Sequence, residues 1–154
     1  MNVVEFLTTN MILNLSIASW AIAQVLKGLI ILIRERRLDL GRMLDGGGMP
    51  SSHSSFVCTC ATAVGRMYGW SSPLFAIAAV VAVVVMYDAF NVRQAAGEQA
   101  KVLNYMIQNL AELNSEEFGK GLKELLGHTF PQVVAGAVLG IAVGWLGCEW
   151  FVFS

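Results

Sequence analysis

The chain has two histidines, and each stands among residues suited to handling a phosphate-like anion. His53 closes Pro50-Ser51-Ser52-His53 within the stretch GGGMPSSHSS, residues 46–55. The glycines let the backbone fold tightly against a ligand, and Ser51 or Ser52 is placed to cap a following helix. The first-turn N–H groups and the positive end of that helix then face whatever sits in the loop, which makes an anion site. His128 belongs to Gly127-His128-Thr129-Phe130-Pro131-Gln132. Thr129-x-x-Gln132 fits a capping box, which accounts for those two residues and leaves His128 without a structural role. Lys27 lies inside an apolar block, where an ammonium costs about 2.5–3.5 kcal/mol on insertion scales. Arg34 follows two helical turns later on nearly the same face. Two imidazoles flanking a cationic anion site are what phosphoryl transfer through a covalent intermediate requires. Plainer readings stand beside this one: a capped helix with His53 at its interface, a topology-setting Arg34, and a Lys27 that snorkels, although about 10 Å of depth is long for that.

These residues can act together only if the segments between them are helices that return to one end of the molecule. Charged residues make up 14% of the 154 and hydrophobic ones 56%, against about 25% charged in a soluble domain. A single domain of this size has too much surface to hide that much apolar material from water, so lipid is the expected solvent. Four blocks can span a bilayer, at about 11–33, 53–68, 72–87 and 130–153. The second is rich in small residues, and the fourth carries GAVLG, a small-xxx-small packing face. Ser72-Pro73 reads as an N-cap followed by proline at the first helical position. Trp145, Trp150 and Phe151 form an interfacial aromatic cluster. Between the third and fourth blocks, Val102, Leu103, Met106, Ile107 and Leu110 form one stripe of an amphipathic helix. The expected fold is therefore all-α: one domain over 1–154, an integral-membrane four-helix bundle with a cytoplasmic-side amphipathic helix, and loops 34–52 and 91–127 on the side of the site.

Charge sets the orientation. Arg36, Arg37, Arg42, Arg93, Lys101, Lys120 and Lys123 fall in those two loops, while the opposite side offers Arg66. The positive-inside rule puts both loops in the cytoplasm and both termini outside. The N-terminal MNVVEFLTTN lacks the positive region of a signal peptide, so no cleavage is expected. A net charge of −1 gives no field for nucleic acid. Cys58, Cys60 and Cys148 form no disulfide framework and read as small buried thiols.

In order, Lys27-x6-Arg34, Pro50-Ser51-Ser52-His53 and His128-x3-Gln132 resemble the motifs of the type 2 phosphatidic acid phosphatase superfamily, which also contains the vanadium haloperoxidases. The whole chain is most similar to the small divergent branch of that superfamily, in which GGMPSSHS, Asp88-x4-Arg93, the Ala95–Gly97 AAG and Gly127-His128-Thr129 recur. The resemblance implies a lipid-phosphate phosphatase of a bacterial inner membrane, acting on a phosphomonoester or diphosphate. His128 would be the nucleophile and His53 the acid that protonates the leaving oxygen. Lys27, Arg34, Ser51 and the backbone N–H groups at Ser52 and His53 would hold the phosphate oxygens, with no metal or cofactor. Three departures stand out: Glu35 follows Arg34 in place of proline, Ser52 replaces a glycine, and Gln132 replaces the acid that orients the nucleophile. Gly121 and Leu122 occupy the positions of an upstream Ser-Arg pair. Arg93 could supply that guanidinium, with Asp88 positioning it or orienting a histidine; an ordinary helix-end charge pair is the alternative. The expected partners are the bilayer and a lipid phosphate, with homo-oligomerisation left open. The competing function is a degenerate, non-hydrolysing binder of lipid phosphate with a regulatory or scaffold role.

Overall fold

The computed structural model describes residues 9–36, 48–110 and 127–153, and the described chain is all helical. Helix α1 spans Met11–Glu35, α2 Ser52–Tyr68, α3 Pro73–Tyr87, α4 Arg93–Leu110 and α5 Phe130–Phe153. Among the described residues, three stretches are long and apolar enough to cross a membrane: Met11–Ile33, Pro73–Ile107 and Phe130–Trp150. Helix α2, with 17 residues, sits at the short limit for a span.

The helix starts follow from their first residues. The Asn10 side chain accepts the Leu13 N–H at 3.0 Å. The Ser72 hydroxyl accepts the Phe75 N–H at 3.2 Å, with Pro73 opening α3. Both arrangements satisfy N–H groups that a helix leaves unpaired at its start. Helix α1 stops at Arg36, which turns left-handed (φ 51°) and returns its N–H to the Leu32 carbonyl at 2.9 Å. Gly69, at φ +90°, makes the tight reversal between α2 and α3.

Helix α2 is the centre of the bundle, packed against α1, α3 and α5. Its small residues explain the closeness. Gly136, Gly140 and Gly144 of α5 lie against the Ser51, Ser55 and Thr59 carbonyls, so any added Cβ would run into α2. The Thr59 hydroxyl lies 2.8 Å from its own-helix Ser55 carbonyl and 2.9 Å from the Gly140 carbonyl. Such cross-helix bonds in lipid are worth about 0.6 kcal/mol each. The Ser19 and Ser55 hydroxyls share a hydrogen bond between α1 and α2. At the far end, the Arg66 guanidinium stands 4.3 Å over the Trp145 ring and 3.4 Å from Glu149, locking the ends of α2 and α5 together. Cys58 and Cys148 are buried and Cys60 half-buried, all as free thiols.

One expected boundary is absent. The chain does not leave the helix after residue 87; it continues from α3 into α4 through a single π turn, Asp88–Val92. The turn inserts one extra residue without breaking the rod. The stripe residues Val102, Leu103 and Met106 are exposed, Ile107 is half-buried, and the Leu110 side chain lies outside the described residues. In α3 only Ala82 is buried, and Leu74, Ile77, Val80 and Val83 face outward. Lipid suits such a surface, because a helix satisfies its own backbone and needs no protein there.

Candidate functional site

The reversals of the chain bring the end of α1, the start of α2, the π turn and the start of α5 to one end of the bundle. Ser51 is the N-cap of α2: its Oγ accepts the Ser54 N–H at 3.4 Å and the Ser54 hydroxyl at 3.1 Å. With both lone pairs engaged, its own hydrogen is the one left to give. The Ser51 N–H donates to the Gln132 main-chain carbonyl at 3.0 Å, which stitches the loop before α2 to the first turn of α5. Gly48, at φ +99°, lies so near Lys27 that an added Cβ would sit 3.1 Å from its Cγ and Cδ. Lys27 itself is 1% exposed. This places the deep cation beside the glycine end of the loop, and a larger residue at 48 would push it away.

The two imidazoles meet edge to face, with centroids 6.0 Å apart and planes at 67°. His128 is fully buried. Its Nδ1 lies 3.3 Å from the Gln132 Oε1, and the same oxygen accepts the Thr129 N–H at 3.0 Å. The second contact settles the first. A main-chain N–H can only donate, so the Gln132 atom facing it is the carbonyl oxygen, and Nδ1 of His128 must carry the hydrogen it donates. Nε2 then holds the free lone pair, and it is buried with no hydrogen-bond partner. Burial pushes the His128 pKa down to about 4; Lys27, His53 and Arg93 add to the fall, and the Gln132 contact opposes it. At neutral pH this ring is uncharged. Nδ1 of His53 is a second buried nitrogen without a partner.

Asp88 and Arg93 pair across the π turn at 3.1 Å, both half-exposed. Residues five apart on an α-helix point about 140° away from each other, so the wider turn is what lets them meet. Arg34 lies in α1, and its side chain falls outside the described residues, as do Gly46 and Gly47. Lys27, Ser51, Ser52, His53, Asp88, Arg93, His128 and Gln132 are thus gathered at one end. Among the described residues, no group of three His, Cys, Asp or Glu side chains stands close enough to hold a metal ion.

Sequence reasoning missed three features. The buried Oε1 of Gln24, about one turn before Lys27, has no hydrogen-bond partner. The carbonyl of Ala89 accepts the His128 N–H at 3.0 Å. Phe90 joins Tyr87 to Phe130 through edge-to-face contacts of 6.0 and 5.9 Å, clasping the π turn to the start of α5. Only the glycine before His128 hinted at this packing: a Cβ on Gly127 would lie 2.7 Å from the Arg93 carbonyl carbon.

The fold and site together define a membrane protein whose described residues are all helical, with buried histidine and lysine side chains gathered at one end of its bundle. The chain belongs to the divergent PAP2 family, whose model matches residues 8–143. It is 41% identical over 145 residues to the uncharacterized membrane protein YuiD of Bacillus subtilis (strain 168), covering 88% of this chain and 92% of that protein. No solved structure matches significantly.

Proposed function

We propose that the protein is a membrane phosphatase that hydrolyses a phosphomonoester or diphosphate of a lipid through a phosphohistidine intermediate. The observation that carries this reading is the His128 ring, buried and neutral, with Nδ1 held by Gln132 and an unpartnered Nε2. A nucleophile needs that tautomer. A phosphoryl group placed between the imidazoles would meet Nε2 of His128 on one side and His53 on the other. The Nε2 lone pair forms the P–N bond as the ester P–O bond breaks, and His53 gives its proton to the departing oxygen. Water then attacks phosphorus, His53 takes a proton from it, and the P–N electrons return to His128.

Charge on the equatorial oxygens is met by Lys27, Arg34, Arg93, the Ser51 hydroxyl and the first-turn N–H groups at Ser52 and His53. In a water-poor site, such fixed donors supply most of the stabilisation. The unit that does this is the whole chain, a single four-span domain with its site loops in the cytoplasm of a bacterial cell, drawing lipid from the inner leaflet.

Gln132 favours a second reading. A neutral amide orients the imidazole but cannot offset an imidazolium as a carboxylate does, so the site would suit a lipid-phosphate binder without turnover. Phosphate release from dioleoyl phosphatidic acid in detergent separates the two: the phosphatase releases phosphate, and the binder takes up orthovanadate without releasing any.

A further inference from the structure

The π turn does more than join two helices. In an α-helix the Arg93 N–H would go to the Ala89 carbonyl, four residues back. Here it goes to the Asp88 carbonyl, five back. The Ala89 carbonyl is thereby relieved of its helical partner, and it is the group that accepts the His128 N–H at 3.0 Å. Three neighbouring facts hold the two segments together. Ala89 is 1% exposed. Gly127 lies directly against the Arg93 and Gln94 main chain. Phe90, on the turn itself, packs edge to face on Phe130, two residues after His128.

We infer that the π turn at Asp88–Val92 is the seat of the nucleophile: the carbonyl it frees on Ala89 is the positioning group that fixes the main chain of His128, and through it the aim of Nε2. This rests on the phosphatase reading for its consequence but not for its geometry. A buried main-chain N–H needs an acceptor, and the segment before α5 meets this one from outside its own helix. Gln132 fixes the rotation of the ring, and Ala89 fixes the point from which the ring swings. Both are needed to hold a nitrogen within the few tenths of an ångström that in-line attack demands.

A π turn is an α-helix with one residue added, so deletion of Asn91, which is exposed, should restore α pitch while leaving the faces of α3 and α4 in place. The Gln94 N–H would then take the Ala89 carbonyl, and Asp88 and Arg93, now four apart, could still pair. The purified full-length protein is compared in detergent with the Asn91 deletion, with Asn91→Ala as the length-preserving control. Residue-resolved amide hydrogen exchange at His128 and affinity for orthovanadate are both read. The deletion should raise exchange at His128 about tenfold or more, the gain expected from losing one buried hydrogen bond, and weaken vanadate to a similar degree. Asn91→Ala should change neither, and amides in the middle of α5 should stay protected. Gly127→Ala, whose Cβ meets the Arg93 main chain, should reproduce both effects and serves if the deletion does not fold. Unchanged His128 exchange in a folded deletion variant, or in Gly127→Ala, overturns the seat. If exchange rises as expected but the wild-type protein binds no vanadate, the seat stands and the phosphatase reading falls.

Discussion

Replacing Gln132 by glutamate puts a carboxylate 3.3 Å from Nδ1 of His128, if the side chain keeps its place. At an effective dielectric near 20, opposite charges at that separation attract by about 5 kcal/mol. That is a ceiling, because the new carboxylate must itself be desolvated and shares its oxygens with the Thr129 N–H. A rise of about 1–3 pH units in the His128 pKa is the reasonable remainder. The starting value is about 4, set mainly by burial, so Gln132→Glu should titrate at about 5–7. The ring attacks only when neutral. The acid limb of any pH–rate profile should therefore move upward, with activity present above the pKa and lost as pH falls through it. The chain has two histidines, so in a His53→Asn background a single labelled imidazole remains, and its titration can be followed by NMR without any turnover. An unmoved midpoint in Gln132→Glu would show that Gln132 does not face Nδ1, and would remove the reason to place the hydrogen on Nδ1.

Other substitutions test other parts. His128→Ala should abolish phosphate release, while His53→Ala should slow an alkyl phosphate far more than p-nitrophenyl phosphate, whose leaving group needs little protonation; equal loss on both would remove His53 from the role of acid. Lys27→Met should weaken orthovanadate at least tenfold with the thermal midpoint as the folding control, and unchanged vanadate affinity would place Lys27 outside the anion site. Gly140→Leu should break the seam between α2 and α5, because its Cβ meets the Ser55 carbonyl and lies 2.9 Å from the Cys58 Cβ; a monodisperse, fully helical variant of normal stability would contradict that packing. With Cys58, Cys60 and Cys148 changed to serine, a cysteine at Ser154 should react with an impermeant maleimide in intact cells and one at Ser115 should not. The reverse pattern would invert the proposed orientation.

Much of this architecture was legible because lipid simplifies the code. Apolar length marks helices, and the caps Ser51 and Ser72 announce where α2 and α3 begin. The glycines of α5 announced a close seam, though the sequence could not say that their partners were carbonyls of α2. Gathering of the two histidines at one end was also legible, since a short reversal and alternating helices return the chain to the same side. The π turn was not. Helix α3 is apolar on nearly every face, so its pattern has no phase for an added residue to break, and Asp88-x4-Arg93 read as a loop or helix-end pair rather than as a pair across a continuous rod. Nor could sequence show that Gln132 serves three donors at once, the Ser51 N–H, the Thr129 N–H and the His128 ring. That arrangement depends on how the loop before α2 lies on the first turn of α5.

The proposed reaction turns on attack of His128 Nε2 on phosphorus. Purified protein incubated with phosphatidic acid labelled with phosphorus-32 in its phosphate, then quenched in alkali and resolved by electrophoresis, tests it most directly. An alkali-stable, acid-labile label should appear on the wild-type chain at His128 with steady release of labelled phosphate, and neither should appear in His128→Ala. Release of phosphate that persists in His128→Ala, or a wild-type chain that binds the lipid but neither acquires label nor releases phosphate, would contradict it.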